Sequence, residues 1–369
     1  MDPKGENAAI TAKYLKSMGY NVHILNPFAI PGLPNSKFNP FNFVSNNDDN
    51  VIEYCDMLAE MVIPLKSYTD SNSEHFDAQS RSILSSFILH LIDTAPKQDQ
   101  NFSTLFKWVN LGGVKLDTLL SEMIASTSYR GILSAIIEGF NETRMSGGEK
   151  EVSGIFSTLK KALEPFKNFK LQDSTATSDF DFRNIAKEKT AIFVCIPQSE
   201  MEKYAVWLRL VIGCSVKLLQ KHYSKQKKVL FILDEFPTLG YMKDFETNAG
   251  YMAGFNVSFW VILQLLPQIQ NLYPKIWETF IGNAVVKQFI GIGDQTTANY
   301  VSQLLPDTIV MNDRGYVIKT KKLLDPVEVF SYEHIIVKFS NVDQPFSFAK
   351  HPYYENALFN SRAGDRPLM

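Results

Sequence analysis

The sequence predicts an α/β fold, a parallel sheet with helices on both faces, interrupted by an inserted all-helical domain. Three observations predict it. Continuous apolar runs of strand length alternate with helical patterns after residue 190, as expected of strands buried on both faces. A lone strand pattern over 20–25 stands far upstream of those runs. Between them, residues 49–146 show apolar residues at helical spacing and no convincing strand.

In chain order, 7–18 reads as a helix stopped by Gly19, which tolerates the left-handed backbone of a helix end. Residues 20–25 (Tyr-Asn-Val-His-Ile-Leu) form a short strand broken by Asn26-Pro27. The Pro-, Asn- and Gly-rich stretch 26–50 reads as a surface loop. Ile52, Met57 and Met61 then fall on one helical face, and 76–92, 116–124 and 132–140 continue the pattern. Breaks stand at 96–101 and at Leu111-Gly112-Gly113. A helix follows Gly148 to about Leu163 and ends near Pro165. Strands over 190–196, 228–233, 257–263 and 284–292 are separated by helices over 204–223 and 245–253. The expected organisation is one α/β domain in two parts, 1–48 and 149–358, with the helical insert over 49–148 and a tail over 359–369.

Composition narrows the function classes. Of 369 residues, 45% are hydrophobic and 21% charged, which excludes wholesale disorder. Lys and Arg number 37 against 39 Asp and Glu, so no chain-wide basic surface exists to seize nucleic acid by charge alone. Cys55, Cys195 and Cys214 have neither metal-ligand nor redox spacing and fit a reducing compartment. The histidines make no His-Glu-x-x-His arrangement. No apolar run reaches the ~18 to 20 residues that span a bilayer; 256–266 is too short and 205–216 is broken by Arg209. No signal peptide pattern is present, and the chain by itself is expected to be soluble.

The strongest chemical signal is Leu230-Phe231-Ile232-Leu233-Asp234-Glu235. An apolar strand that delivers two carboxylates at its C-terminal end places them where open α/β sheets bind ligands. In nucleotide hydrolases the first acid helps to hold Mg²⁺ and the second polarises the attacking water. The other reading is a strand that happens to end in acidic loop residues. Gln264, closing the next apolar run, has the position to orient water or sense a γ-phosphate; a loop or helix-start glutamine is the alternative. A phosphate loop of the form Gly-x-x-x-x-Gly-Lys-Ser/Thr is absent: Gly112-Gly113-Val114-Lys115 has the wrong spacing, and Ser146-Gly147-Gly148-Glu149 reads as a hinge between helices. Lys217, Lys221, Lys225, Lys227 and Lys228 cluster before the acid-bearing strand, and Lys319, Lys321 and Lys322 follow Gly315; both read first as solvated surface. Over 65–148, nine carboxylates outnumber seven Lys and Arg, so the helical block is no electrostatic DNA clamp and reads as a protein-binding element.

Four strings stand in order: Asp2-Pro3-Lys4-Gly5-Glu6; Leu233-Asp234-Glu235-Phe236-Pro237-Thr238-Leu239-Gly240; Ala249-Gly250-Tyr251-Met252-Ala253-Gly254; and Gln264. Together with Asp179-Phe180-Asp181-Phe182-Arg183, Leu323-Leu324-Asp325-Pro326-Val327-Glu328 and Pro352-Tyr353-Tyr354 they resemble the coupling proteins of type IV secretion and conjugation systems, over nearly the whole chain. The resemblance implies a RecA-like motor domain with an inserted helical domain. It implies a homo-hexamer at the cytoplasmic face of the bacterial inner membrane that hands DNA–protein complexes or effector proteins to secretion-channel components. It implies ATP and Mg as cofactors, Asp234 as the magnesium-associated acid acting through water, Glu235 as the catalytic acid and Gln264 as the sensor. The family's phosphate loop and membrane helices lie upstream of its Asp-Pro-Lys-Gly-Glu string, where this sequence starts. No Arg lies between Glu235 and Gln264, where some conjugative relatives supply an arginine finger. Lys4 is the remaining candidate for a phosphate contact. The expectation is therefore a C-terminal portion of a coupling protein that is not ATPase-competent alone, with an unpaired place in its sheet. The alternative is a non-enzymatic cargo- or partner-binding module from a decayed or split ATPase.

Overall fold

A computed structural model describes residues 1–66, 71–248 and 251–364, which divide into two compact units: Met1–Trp260 joined by Gly364, and Val261–Ala363. The first unit opens with α1 (Glu6–Ser17) and β1 (Asn21–Leu25). A helical stretch follows: α2 (Val51–Val62), α3 (Ser71–Thr94), α4 (Phe102–Val109), α5 (Val114–Ile124), α6 (Ile132–Met145), α7 (Glu149–Leu163) and α8 (Phe169–Ser174). The chain then returns to the sheet with β2 (Thr190–Val194), α9 (Ala205–His222), β3 (Val229–Leu233), α10 (Lys243–Asn248) and β4 (Val257–Val261).

β1 and β2 pair in parallel, from Asn21 opposite Thr190 to Leu25 opposite Val194, so the helical stretch is an insertion between two adjacent strands, as expected. β3 pairs with β4. Residues 1 and 2 lie between the two pairs. Asp2 bridges Cys195 in parallel and its amide donates to Val194 O at 2.9 Å, while the Met1 ammonium donates to Ile232 O at 2.6 Å.

The insert is held by apolar helix faces. α3 is its centre, with Leu84, Phe87, Ile88 and Leu91 inaccessible to solvent, and it packs against α2, α6 and α7. α7 begins at the expected domain boundary yet also packs against α4, so helical packing runs on past Gly148.

The stretch 26–50 is a surface loop only in part: residues 31–32, 34–35 and 46–50 are exposed, but the chain turns inward over 38–41. Phe38 and Phe41 are buried, with Phe41 edge-on to Phe102 at 5.1 Å and Phe102 stacked on Phe166 at 4.6 Å. Asn39, fully buried, donates to Gln100 O and Ala176 O, which satisfies main-chain groups that the loop would otherwise bury unpaired. Aromatic side chains placed among the turn residues pull this loop inward.

α9 is the buried axle of the first unit. Every residue from 206 to 216 is buried, the pattern of a helix apolar on all sides. It packs against α2 and against the short turns at Pro40–Phe43, Phe182–Asn184, Phe236–Leu239 and Met252–Phe255. Gly213 is required at the crossing with α2, because a Cβ there would stand 1.9 Å from Met61 Cε. The expected helix over 245–253 is instead α10 followed by the Met252–Phe255 turn, with residues 249–250 outside the described residues.

The second unit comprises α11 (Leu266–Leu272), α12 (Trp277–Gly282), β5 (Val286–Phe289), α13 (Gln295–Leu304), β6 (Asp307–Met311), β7 (Val317–Lys322), α14 (Pro326–Phe330), β8 (Ile335–Phe339), β9 (Phe346–Phe348) and α15 (Ala357–Asn360). The run over 284–292 was expected to be a fourth parallel strand. It pairs antiparallel with β8, and β8 antiparallel with β9. Lys287 and Gln288 interrupt its apolar run, as suits a strand of an antiparallel sheet rather than one buried on both faces. β6 and β7 form an antiparallel ribbon rich in exposed Lys, without the apolar run that marks a strand in sequence. Ala298, Val301, Leu305, Val329 and Ile336 make the core of this unit. α15 lies where a tail was expected to begin, and residues 365–369 are outside the described residues. Among the described residues no helix is long and apolar enough to cross a membrane.

Two predictions follow from this packing. Gly213→Val should lower unfolding stability by about 1–3 kcal/mol, read by denaturant titration, because the Met61 side chain must shift inside a buried crossing to admit the added methyls. Burial holds His23, His90 and His222 below the usual histidine pKa. The unfolded chain therefore binds more protons than the folded one as pH falls through about 6.5, and this share of stability is present above that pH and lost below it. His90 Nδ1 has no hydrogen-bond partner, so His90→Leu should flatten the loss of Tm between about pH 7 and pH 5 without orphaning a neighbour.

Candidate functional site

The opening string Asp2-Pro3-Lys4-Gly5-Glu6 is a strand end, a turn and a helix start. The first turn of α1 leaves main-chain N–H groups without helical partners, and Gly5 at its N-cap offers no side chain. The buried Asp2 carboxylate supplies the cap: Oδ2 accepts from Ala8 N at 2.8 Å and Oδ1 from Asn7 N at 3.3 Å. Burial raises the Asp2 pKa, and these helix N–H donors work against that rise. Gly5 sits at φ +69°, where a Cβ would also stand 2.5 Å from Leu33 Cδ1. Lys4 is the exposed residue of the turn.

The acid string begins where β3 ends. Leu233 is buried, and Asp234 and Glu235 follow it half-buried. Glu235 adopts the left-handed conformation at φ 56°, ψ 44°, a backbone that costs a side-chain-bearing residue about 1 kcal/mol or more. The next residues hold it there. Phe236–Leu239 form a single 3-10 turn with Pro237 preset for helical φ. Thr238 N donates to Glu235 O at 3.0 Å, and Gly240 N to Pro237 O at 3.0 Å, with Gly240 itself at φ +69°. Phe236 is fully buried edge-on to Phe245 at 5.2 Å.

The turn is tied to the helical insert through one side chain. Arg209 on α9 donates from Nη1 to Leu239 O at 3.3 Å and from Nε to Met61 O, near the end of α2, at 2.7 Å. Burial pushes its guanidinium pKa down to about 10. In the sequence Arg209 counts only as a break in an apolar run. A single charge inside an otherwise unbroken buried helix was the available signal of a structural tie.

In the first unit the start of the 2–5 turn is linked to the end of β3 that precedes Asp234 and Glu235, through the Met1 ammonium. The Met1 ammonium, bonded to Ile232 O, is close enough for the Asp234 charge to raise its pKa against the lowering by burial. Gln264 was expected to close its strand. β4 ends earlier, at Val261, and Gln264 is exposed in the bend before α11, in the second unit. Its N–H and that of Leu265 both donate to Gln268 Oε1, at 2.9 and 3.0 Å, which turns the chain out of the ladder.

Among the described residues no group of three or more His, Cys, Asp or Glu could hold a metal ion. The glycine pairs at 112–113 and 147–148 precede α5 and α7 within the helical stretch, away from any strand end, and provide no phosphate cradle.

Comparison with known proteins agrees with this architecture. The chain is 24% identical over 315 residues to the type IV secretion system-coupling protein VirD4 of Bartonella quintana, covering 82% of this chain and 47% of that protein. It is 29% identical over 138 residues to protein VirD4 of Agrobacterium fabrum, covering 36% and 21% of the two chains. It is 20% identical over 335 residues to the conjugal transfer protein TraG of Escherichia coli, covering 85% and 51%. The chain thus spans about half the length of the first and third of these relatives. In fold it is similar to the plasmid coupling protein TrwB in complex with a non-hydrolysable GTP analogue, with a TM-score of 0.71 at 14% identity, covering 95% of this chain and 77% of that one. TrwB in complex with ADP and Mg²⁺ superposes with a TM-score of 0.69 at 15% identity, covering 95% and 77%. The fold is RecA-like. The family model for type IV secretory system conjugative DNA transfer matches residues 1–333, and the chain belongs to that family.

Proposed function

We propose that this chain is the acid-bearing portion of a coupling protein that delivers DNA–protein complexes or effector proteins to a type IV secretion channel. The observation that carries the reading is Glu235, held in a strained conformation beside Asp234 at the end of β3. Strain of this kind persists where the surroundings over-determine it, and it concentrates at sites of function. In this reading Asp234 holds magnesium through water and Glu235 orients the attacking water. Bound ATP and Mg²⁺ would supply the phosphoanhydride bond and the cation that polarises it. The β- and γ-phosphates need a loop of backbone N–H donors and a lysine, which this sequence does not contain, and the exposed Lys4 is offered in its place. The hexameric ring and the seat at the cytoplasmic face of the inner membrane belong to the same proposal.

The purified chain should hydrolyse ATP at background rate, with Glu235→Gln no different. Joined to the upstream phosphate-loop segment of a VirD4 relative, it should gain magnesium-dependent turnover that Glu235→Gln cuts by about 10²-fold or more. Turnover by the unjoined chain that Glu235→Gln abolishes would contradict the missing cradle. No turnover by a folded, nucleotide-binding chimera would contradict the role given to the acid pair.

A further inference from the structure

We infer that the β6–β7 ribbon of the second unit is a docking edge for an extended acidic segment of a partner protein, which adds to β7 as a third strand. The evidence is main-chain geometry and charge within that unit, and it stands apart from the nucleotide reading. The ribbon is anchored at its base, where Leu323 N donates to Pro306 O at 3.0 Å and Ser302 Oγ to Leu324 O at 2.7 Å. Its tip is a formed turn, with Asn312 Oδ1 accepting from Arg314 N and Tyr316 N at 3.0 and 2.9 Å. From the tip along β7 the ribbon stands in solvent: every residue from 311 to 321 is exposed. Among the described residues β7 pairs only with β6, so its outer row of N–H and C=O groups has no strand against it. Ile309, Met311, Tyr316, Val317 and Ile318 are each more than half exposed. A two-stranded ribbon without a covered face is marginal alone, and an open edge beside exposed apolar side chains is a template for one more strand.

Charge selects the strand. Register places Lys319 opposite Val310 and Lys321 opposite Thr308, so the two lysines share one face, two residues apart. Lys319 makes no ion pair among the described residues, and Lys321 meets Glu328 at 3.3 Å between exposed side chains, a contact of little net value that a better partner displaces. An occupant with carboxylates at alternate positions sets them opposite Lys319 and Lys321, where unlike charges stabilise the pairing. A second copy of the ribbon sets lysine against lysine, which destabilises it. A nucleic-acid backbone matches the charge but has no row of amide donors and carbonyls to offer the edge, and main-chain bonds are what give an added strand its affinity. The ladder shifts register at Val310/Met311, which leaves 319–322 as the regular stretch for the occupant's acids. Between the acids, β-branched residues suit the extended backbone, and proline is excluded wherever an N–H faces β7.

The test uses the full chain and three fluorescein-labelled peptides of about eight residues, long enough to span the ribbon. One alternates Glu with Val or Thr, one carries Lys in place of each Glu, and one is the acidic peptide with two consecutive prolines at its centre. Binding is read by fluorescence anisotropy, and amide hydrogen exchange over 317–322 locates it, with α13 as an internal reference. The acidic peptide should bind and slow exchange in β7, and the Lys and Pro versions should bind about tenfold more weakly or not at all. Lys319→Glu combined with Lys321→Glu, both on the exposed ribbon, should reverse the preference between the acidic and Lys peptides. No protection of β7 by the acidic peptide at about 1 mM, or a preference that the charge reversal leaves in place, would overturn the inference. Protection that grows with protein concentration in the absence of peptide would assign the edge to a second copy and overturn it too. Equal protection by a single-stranded DNA oligonucleotide would assign the lysines to phosphate, with the same consequence.

Discussion

Two hydrogen bonds from one buried guanidinium set the spatial frame of the first unit. Arg209 reaches Met61 O in the helical insert and Leu239 O in the turn that follows the acid pair. A charge taken out of water is costly unless its donors are engaged, so the partners are constrained to stay where they are. Around this contact α9 is apolar on every side, and Gly213 one turn on lets Met61 fit against it. The insert and the acid-bearing edge are therefore referred to the same helix. A displacement of one has a direct mechanical path to the other, through a single side chain with few rotamers left to it.

The acid edge follows from that frame. Glu235 pays a backbone penalty that a glycine would avoid, and the string after it supplies the restraint: a proline that presets the turn, two apolar anchors that bury it, and a glycine that lets the chain leave. On the neighbouring line of the sheet Asp2 is used up in capping α1, so the exposed Lys4 is what that turn has left for solvent or ligand. Two strings that read in the sequence as a family signature thus resolve into mostly structural positions around a small number of exposed or strained polar groups.

Much of this was legible beforehand. Apolar runs without alternation located β2, β3 and β4, and helical spacing located the insert, because burial on both faces or on one stripe writes directly into the order of residues. That the helical block interrupts one α/β domain was expected; that β1 and β2 are direct neighbours across it was not. Other features were not legible, for identifiable reasons. The loop over 26–50 carries turn residues, and only three-dimensional proximity shows Phe41 meeting Phe102. β5 looked like another parallel strand until its antiparallel partner was seen, and the Lys-rich β7 carries no apolar run at all. Gln264 appeared to close a strand, but the side chain of Gln268, four residues on, captures its N–H and ends the ladder early. Arg209 was passed over because a lone charge in a helix has no local signature of its partners.

The most direct test of this account is amide hydrogen exchange in Arg209→Met, a substitution that keeps the apolar packing of α9 and removes both carbonyl contacts. The account predicts faster exchange in the Glu235–Gly240 turn and at the end of α2 together, while α3 and the second unit keep their rates. Unchanged protection in both segments, with α9 intact, would show that the insert and the acid turn are held by something other than Arg209.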